Sequence, residues 1–318
     1  MLPKISIVIC TYNRCQILRG CLDSLTQQTV NEKADALPPF EVIIVDNNSP
    51  DATAAVSSEY TAQYAYFRYI FEPNVGHSAA RNRGFMEAHA DWVLYLDDDV
   101  KVFQNLVERA IFTAENYGFE CFGGIIHTFY LQEKPRWIAA NFLSNQYLLE
   151  QYLTKTPTEI SDEKLIWGCL IAFRKDLLYK FGGFKTDLGM KGDKMGYFDE
   201  TDMILNVKNA GYRMGLDPEM RLYHLIPDFK LNLSWHLKEC FVSGRDGYRY
   251  WAATIPSGKI GFLGYMLKRL VTYLRFFYNA LKKWIRQDDF YWQNGIIQTL
   301  RPVLFDLGII ARKINPKR

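Results

Sequence analysis

Five apolar or aromatic residues, Trp92-Val93-Leu94-Tyr95-Leu96, run directly into three consecutive carboxylates, Asp97-Asp98-Asp99. No residue in the run suits a solvent face, so it reads as a buried parallel strand. The acids then fall at its carboxyl end, where open α/β sheets place their ligands. Two ionised carboxylates repel by roughly 4 kcal/mol at a separation of about 4 Å and an effective dielectric of about 20. Acids crowded at the end of a core strand therefore want a cation, and a divalent metal carrying a phosphorylated substrate is the usual solution. A solvated acidic turn is the plainer alternative, and the three acids alone do not decide between the two.

The flanking segments alternate between short β-branched runs and helical periodicities. Ile5–Cys10 is a strand that ends in the polar loop Thr11-Tyr12-Asn13-Arg14. Ile17, Leu18, Cys21, Leu22 and Leu25 share one helical face. Residues 29–39 are a polar, proline-containing loop, and Val42–Val45 is a second buried strand closing on Asp46-Asn47-Asn48. A helix starting near Ala52 leads to a third strand at Phe67–Phe71. After the turn Asn74–His77, Ser78 is read as the N-cap of a helix reaching to near Ala88. This alternation predicts a parallel, doubly wound sheet. Arg81 and Arg83 fall in the first turn of the third helix, where the dipole disfavours a cation by about 0.3–1 kcal/mol. A bound anion would offset that cost, as would pairing with Asp or Glu.

Beyond Asp99 the pattern predicts a helix over 104–117 and strands at Phe122–Ile126 and Leu165–Phe173. Between them, residues 127–164 are irregular and aromatic, with Tyr130, Trp137, Tyr147 and Tyr152 among them. They are either a substrate-covering insertion or a surface subdomain. Gly182-Gly183-Phe184 is a tight turn. Asp199-Glu200-Thr201-Asp202 opens a helix that ends at Gly211. Asp199 is a natural N-cap, and Glu200 and Asp202 complement the dipole; Glu200 is also placed to project from the first turn into a cleft. Met220–His224 is a short strand ending in a histidine that is read either as structural or as a ligand.

The formal charge is +3 overall, but residues 259–318 carry 12 Lys or Arg against 3 Asp, a local +9 that leaves −6 for residues 1–258. In that tail Phe262, Tyr265, Met266, Leu270, Tyr273 and Leu274 recur at helical spacing among Lys268, Arg269, Arg275, Lys282 and Lys283. A basic, aromatic amphipathic helix is the pattern of an interfacial segment, and peripheral contact of 260–318 with a membrane is expected. The alternative is a helical hairpin, with the apolar stretch Ile296–Ile310, packed on the sheet or pairing two subunits. The acidic body argues against nucleic acid as a partner. Six cysteines without a CxxC pair read as free thiols. No apolar stretch reaches about 18 residues without a charge, so no transmembrane helix is predicted. Met1-Leu2-Pro3-Lys4 passes at once into a strand, which predicts a cytoplasmic location at the inner face of the cell membrane.

Seven segments taken in order carry a resemblance: Ile7–Arg14, Val45–Ser49, Asn74–Gly76, Ala80-Arg81-Asn82, Leu96–Asp99, Gly182–Phe184 and Asp199–Asp202. Together the chain resembles glycosyltransferase family 2, the inverting nucleotide-sugar enzymes, over roughly residues 4–225. The resemblance implies an α/β GT-A fold, Rossmann-like with a mostly parallel sheet flanked by helices. It makes 1–225 the nucleotide-sugar-binding and catalytic domain, with 127–164 as an acceptor-side insertion, and 226–318 a helical extension. It implies that Thr11, Asn13 and Arg14 line the nucleotide pocket with Asp46, Asn48 and Arg81, Asp46 accepting from the base of a UDP-sugar. Asp97 and Asp99 match the family's Asp-x-Asp, Asp97 and Asp98 on the nucleotide side and Asp99 on Mn2+ or Mg2+. His224 looks like the second metal ligand of some members, and Glu200 like the base. The acidic pair here is Asp-Glu where Glu-Asp is commoner, so Asp199 and Glu200 can exchange the roles of base and cap. Asn206 stands where many members have arginine. The implied activity is a hexosyl transfer to a saccharide or lipid-linked acceptor in polysaccharide biosynthesis. A nucleotide-sugar-binding scaffold and a sugar-phosphate nucleotidyltransferase are the alternatives; the latter would want a glycine-rich loop where Thr11–Arg14 stands.

Overall fold

The computed structural model describes residues 2–31, 38–151, 156–251, 259–286 and 291–315. Residues 32–37 of the expected loop, Tyr152, and residues 252–258, 287–290 and 316–318 of the tail lie outside the described residues. The strands are β1 (Ile5–Thr11), β2 (Phe40–Asp46), β3 (Phe67–Phe71), β4 (Trp92–Asp97), β5 (Val100–Val102), β6 (Cys121–Phe129), β7 (Thr158–Ile160), β8 (Leu170–Arg174) and β9 (Met214–Leu225). The helices of the same region are α1 (Cys15–Thr26), α2 (Thr53–Gln63), α3 (His77–Glu87), α4 (Leu106–Asn116), α5 (Leu148–Gln151), α6 (Lys175–Lys180) and α7 (Asp199–Asn209). They are followed by α8 (Leu233–Asp246), α9 (Tyr248–Trp251), α10 (Lys259–Arg286) and α11 (Trp292–Ile314).

Among the described residues all nine strands join one sheet in the order β3-β2-β1-β4-β8-β6-β9-β5, with β7 also on β9. The β3-β2-β1-β4 half is parallel; β8 then runs against β4 and β6 against β8. Every residue of β1 and β2 is buried, which is why both read as unbroken apolar runs. Alternate side chains feed two cores. Ile5, Ile7 and Ile9 pack with Leu18, Leu22 and Leu25 of α1 and with Leu106 and Ala110 of α4. Val8 and Cys10 face the other way, onto Ala80 and Phe85 of α3 and Met203 and Val207 of α7. The contact between α3 and β1 is close: a Cβ on Gly84 would fall 2.2 Å from Val8 Cγ1.

Several local expectations are corrected. Ser78 is not the N-cap of α3, because the helix starts at His77 after Gly76 (φ 153°) and the Ser78 hydroxyl instead donates to Leu188 carbonyl at 2.9 Å. The strand expected from Leu165 begins only at Leu170, after a short 3-10 turn at Glu163–Leu165. The short strand at Met220–His224 is the end of a twelve-residue strand, β9. Nothing in the apolar pattern announced β5, whose three residues form a strand because β9 lies alongside.

The described chain separates into two compact units. One is residues 1–129, 141–193 and 199–225; the other is 130–140, 194–198 and 226–318. Within the second unit α8 and α11 cross at two glycines. A Cβ on Gly244 would lie 1.9 Å from Phe305 O, and one on Gly308 would lie 2.0 Å from Phe241 O. No helix among the described residues is long and apolar enough to cross a membrane. All six cysteines are free.

Candidate active site

β4 ends at Asp97, and the chain turns through Asp98 and Asp99 into β5. β5 pairs antiparallel with β9, Val100 opposite His224, and Leu225 N–H donates to Asp99 carbonyl at 2.8 Å. That register brings His224 Nε2 to 3.2 Å from Asp99 Oδ1. Asp97, Asp99 and His224 each offer one ligand atom, all within 4.8 Å of one another. Asp99 and His224 are buried, and Asp97 is partly exposed. His224 Nδ1 is buried with no hydrogen-bond partner among the described residues. Bonds of about 2.1 Å in an octahedral ion hold adjacent ligands about 3 Å apart, so the imidazole–carboxylate spacing fits a shared cation. Two carboxylates with one imidazole are a donor set that could hold a divalent cation. Asp97, expected on the nucleotide side, belongs to this group as well.

Asp98 points the other way and is 4% exposed. Its oxygens accept from Thr11 Oγ1 at 2.8 Å and Arg14 Nη1 at 2.9 Å. Arg14 Nη1 also donates to Asp99 Oδ2 at 3.0 Å. The acidic turn is thus tied to the loop after β1, and Arg14 offsets part of its charge. Burial pushes the Asp98 carboxyl up to about 6 against the pull of Arg14.

Arg81 connects the acidic turn to the start of α7. Its Nη1 donates to Asp199 Oδ2 at 2.9 Å and lies 3.6 Å from Glu200 Oε2; its Nη2 donates to Gly168 carbonyl at 3.1 Å and lies 3.8 Å from Asp97 Oδ1. The guanidinium also lies over the rings of Tyr95 and Phe184. The unfavourable dipole position of Arg81 is therefore compensated by protein carboxylates, and Arg83 pairs with Glu87 one turn on, at 2.8 Å. Asp199 is the first residue of α7, but its side chain is taken by Arg81 and by His77 Nδ1 at 3.1 Å. Burial alone would raise the Asp199 carboxyl; Arg81 and His77 hold it well below the usual carboxylate range. Glu200 is only partly buried, at 29% exposure. Desolvation, and then the negative charge of Asp199, push its carboxyl up to about 8. Two adjacent acids are thus driven apart: one is a fixed anion, the other is poised to exchange a proton near neutral pH.

At the end of β2, Asp46 is buried and accepts from Tyr69 hydroxyl at 2.8 Å and Ser49 N–H at 2.9 Å. Asn13 (φ 55°) and Asn48 (φ 64°) occupy the left-handed region, which asparagine tolerates better than most residues. Asn13 N–H donates to Ser49 Oγ at 2.9 Å, and Asn48 is exposed. The residue between Asp46 and Asn48 passed unremarked in the sequence, yet it joins three loops. Asn47 N–H donates to Thr11 carbonyl at 2.9 Å, its amide to Asn74 carbonyl at 2.8 Å, and its Oδ1 accepts from Gly76 N–H at 2.7 Å. His77 and Gly168 were likewise missed. A Cβ on Gly168 would meet Arg81 Nη2 at 2.8 Å and Glu200 Cγ at 3.0 Å, a constraint that no local pattern carries. Asn206 turns to Asp202, which takes Lys185 at 2.8 Å.

The helix-flanked sheet, with acids delivered at the end of a core strand, has the GT-A fold of glycosyltransferases. The chain belongs to glycosyltransferase family 2: the model of that family, described as glycosyl transferase family 2, matches residues 6–182, more than half of the length. It is 27% identical over 244 residues to the succinoglycan biosynthesis protein ExoM of Rhizobium meliloti (strain 1021), covering 76% of this chain and 73% of ExoM. It is 27% identical over 169 residues to the uncharacterized glycosyltransferase EpsJ of Bacillus subtilis (strain 168), which takes in 52% of this chain but only 46% of EpsJ. Among solved structures, the mannosyltransferase PcManGT of Pyrobaculum calidifontis, in complex with GDP-Man and Mn2+, superposes with a TM-score of 0.60 at 14% identity. That likeness covers 100% of this chain and 89% of PcManGT, and it is a likeness of fold.

Proposed function

We propose that this glycosyltransferase transfers a hexosyl group from a UDP-sugar, with inversion and metal dependence, to a saccharide or lipid-linked saccharide in polysaccharide biosynthesis. The observation that carries this reading is the Asp97–Asp99–His224 group lying one arginine away from Glu200. In a single displacement the acceptor hydroxyl oxygen bonds to the anomeric carbon as the bond to the diphosphate oxygen breaks. Glu200 is the group proposed to take the hydroxyl proton, and a carboxyl near pH 8 both accepts and releases one close to neutrality. A divalent ion held by Asp97, Asp99 and His224 would supply charge stabilisation to the departing diphosphate. Asp199 is a positioning residue, since its Oδ2 is committed to both Arg81 and His77. Arg81 steadies Glu200 on one side and faces Asp97 on the other.

Thr11, Asn13, Arg14, Asp46 and Asn48 surround the ends of β1 and β2 and are proposed to receive the nucleoside with Arg81, Asp97 and Asp98. Asp98 acts there by holding Thr11 and Arg14. The relatives support the polymer-building part of the reading: ExoM carries succinoglycan biosynthesis in its name. A lipid-linked acceptor would place the reaction at the inner face of the cell membrane. The test is a thermal-shift series with UDP, GDP, dTDP and CMP, each with and without Mn2+. A native-state ligand at about a hundredfold excess over its dissociation constant adds about 2.7 kcal/mol, so a shift with UDP that requires Mn2+ is expected. A metal-independent shift, or one confined to GDP, would overturn the metal or the donor assignment respectively.

A further inference from the structure

α10 is built inside out. Its polar residues Tyr265, Arg269 and Tyr273 all turn to one buried carboxylate, Asp306 of α11, which accepts from each of them. Its large apolar residues from Leu267 to Ile285 turn to solvent, while Ala280 is buried. Leu267, Val271, Leu274, Tyr278, Leu281 and Ile285 succeed one another at three- and four-residue steps, so they form one continuous stripe. Each is between 38% and 74% exposed. Leu270, Phe277 and Trp284, spaced by seven, widen the stripe on one side. Along its other side, Lys268, Arg275 and Lys282 repeat with the same spacing of seven and are all exposed. Not one Asp or Glu occurs between Lys259 and Arg286.

We infer that α10 is a docking surface for an anionic lipid bilayer, lying flat with the Leu267–Ile285 stripe in the acyl boundary and the Lys268-Arg275-Lys282 row among the headgroups. Charge complementarity selects this occupant. A second copy of α10 would offer the row no carboxylate, whereas phosphate headgroups beside an apolar interior answer both halves of the surface. A basic residue at every second turn also makes burial of the helix across the hydrocarbon costly. Only the purpose of the contact, delivery of the active site to a lipid-linked acceptor, rests on the proposed function; the contact itself is read without turnover.

The experiment is vesicle flotation of the full chain, using phosphatidylcholine alone and phosphatidylcholine mixed with phosphatidylglycerol. Flotation with the mixed vesicles, weakened by added salt, is expected. Neutralising Lys268, Arg275 and Lys282 to Gln should lower partitioning on the order of a hundredfold, about fivefold per charge. Leu270→Gln with Leu274→Gln and Phe277→Gln should abolish it on both vesicle types. A native far-UV circular dichroism spectrum and a cooperative thermal melt in both variants show that they are folded, which keeps failure here distinct from failure of the catalytic reading. Equal flotation on neutral vesicles, no flotation, or a dimer in solution that the Gln substitutions in the stripe dissociate would each overturn the inference.

Discussion

Arg81 Nη1 donates to Asp199 Oδ2 at 2.9 Å, and the two side chains are 3% and 4% exposed. Removing one partner of such a pair strands a buried charge, which costs about 3–5 kcal/mol. Arg81→Met and Asp199→Asn are each expected to lower the unfolding free energy, extrapolated from urea titrations, by an amount in that range. The double variant should cost much less than the sum, because neither charge is then left alone. Additive losses would show that the pair is not the unit of stability.

Glu200→Gln keeps the shape of the side chain and removes its capacity to take a proton. Turnover is expected to fall by about 10²–10⁴ while nucleotide binding survives. In the native protein the base must be ionised, so kcat/KM should rise with pH and level off above about 8. The Gln variant should lack that rise, and unchanged turnover would remove Glu200 from the reaction.

The same carboxyl makes a stability prediction of opposite sense. Its pKa is raised from 4.5 to about 8 on folding, so between those values the folded state binds more protons than the unfolded one, and stability falls as pH rises. Glu200→Gln should therefore melt higher than the native protein above pH 8 and converge with it below about pH 4.5. Asp199, held low, acts the other way: its stabilisation is present above the ordinary carboxylate range and is lost as pH falls. Melting curves across pH for both variants separate the two.

Asp99→Asn and His224→Gln each remove one member of the Asp97–Asp99–His224 group. Both are expected to abolish the Mn2+-dependent part of the thermal shift with UDP, about 2.7 kcal/mol at a hundredfold ligand excess. Chelation of the native protein should stop transfer, and added Mn2+ should restore it. A metal-dependent shift of native size in both variants would place the metal elsewhere.

Gly168→Ala introduces a Cβ 2.8 Å from Arg81 Nη2 and 3.0 Å from Glu200 Cγ. The guanidinium and the carboxylate must then move apart. A displacement of about 1 Å at reacting groups is worth about 10² in rate, and overpacking costs about 1–3 kcal/mol. Steady-state kinetics are expected to show a loss in kcat with nucleotide affinity retained.

What the chain determines locally is the set of parts. Apolar runs too continuous for a solvent face make β1, β2 and β4 core strands, and the acids that follow β4 must then lie at the sheet's carboxyl edge. Helical periodicity likewise places Leu18, Leu22 and Leu25 inward on α1. Three things were decided only by tertiary structure. The three-residue β5 exists because β9 pairs with it, and that register sets His224 against Asp99. Of two adjacent acids that look alike in sequence, Asp199 is the locked anion because Arg81 and His77 of α3 reach it, leaving Glu200 as the titratable group. The covered face of α10 carries Arg269 and two tyrosines, because Asp306 of α11 gathers them there, and the apolar stripe is left outside. Periodicity reports which side chains share a face. Which face is covered, and by what, depends on long-range register and on charges that meet only once the chain has folded.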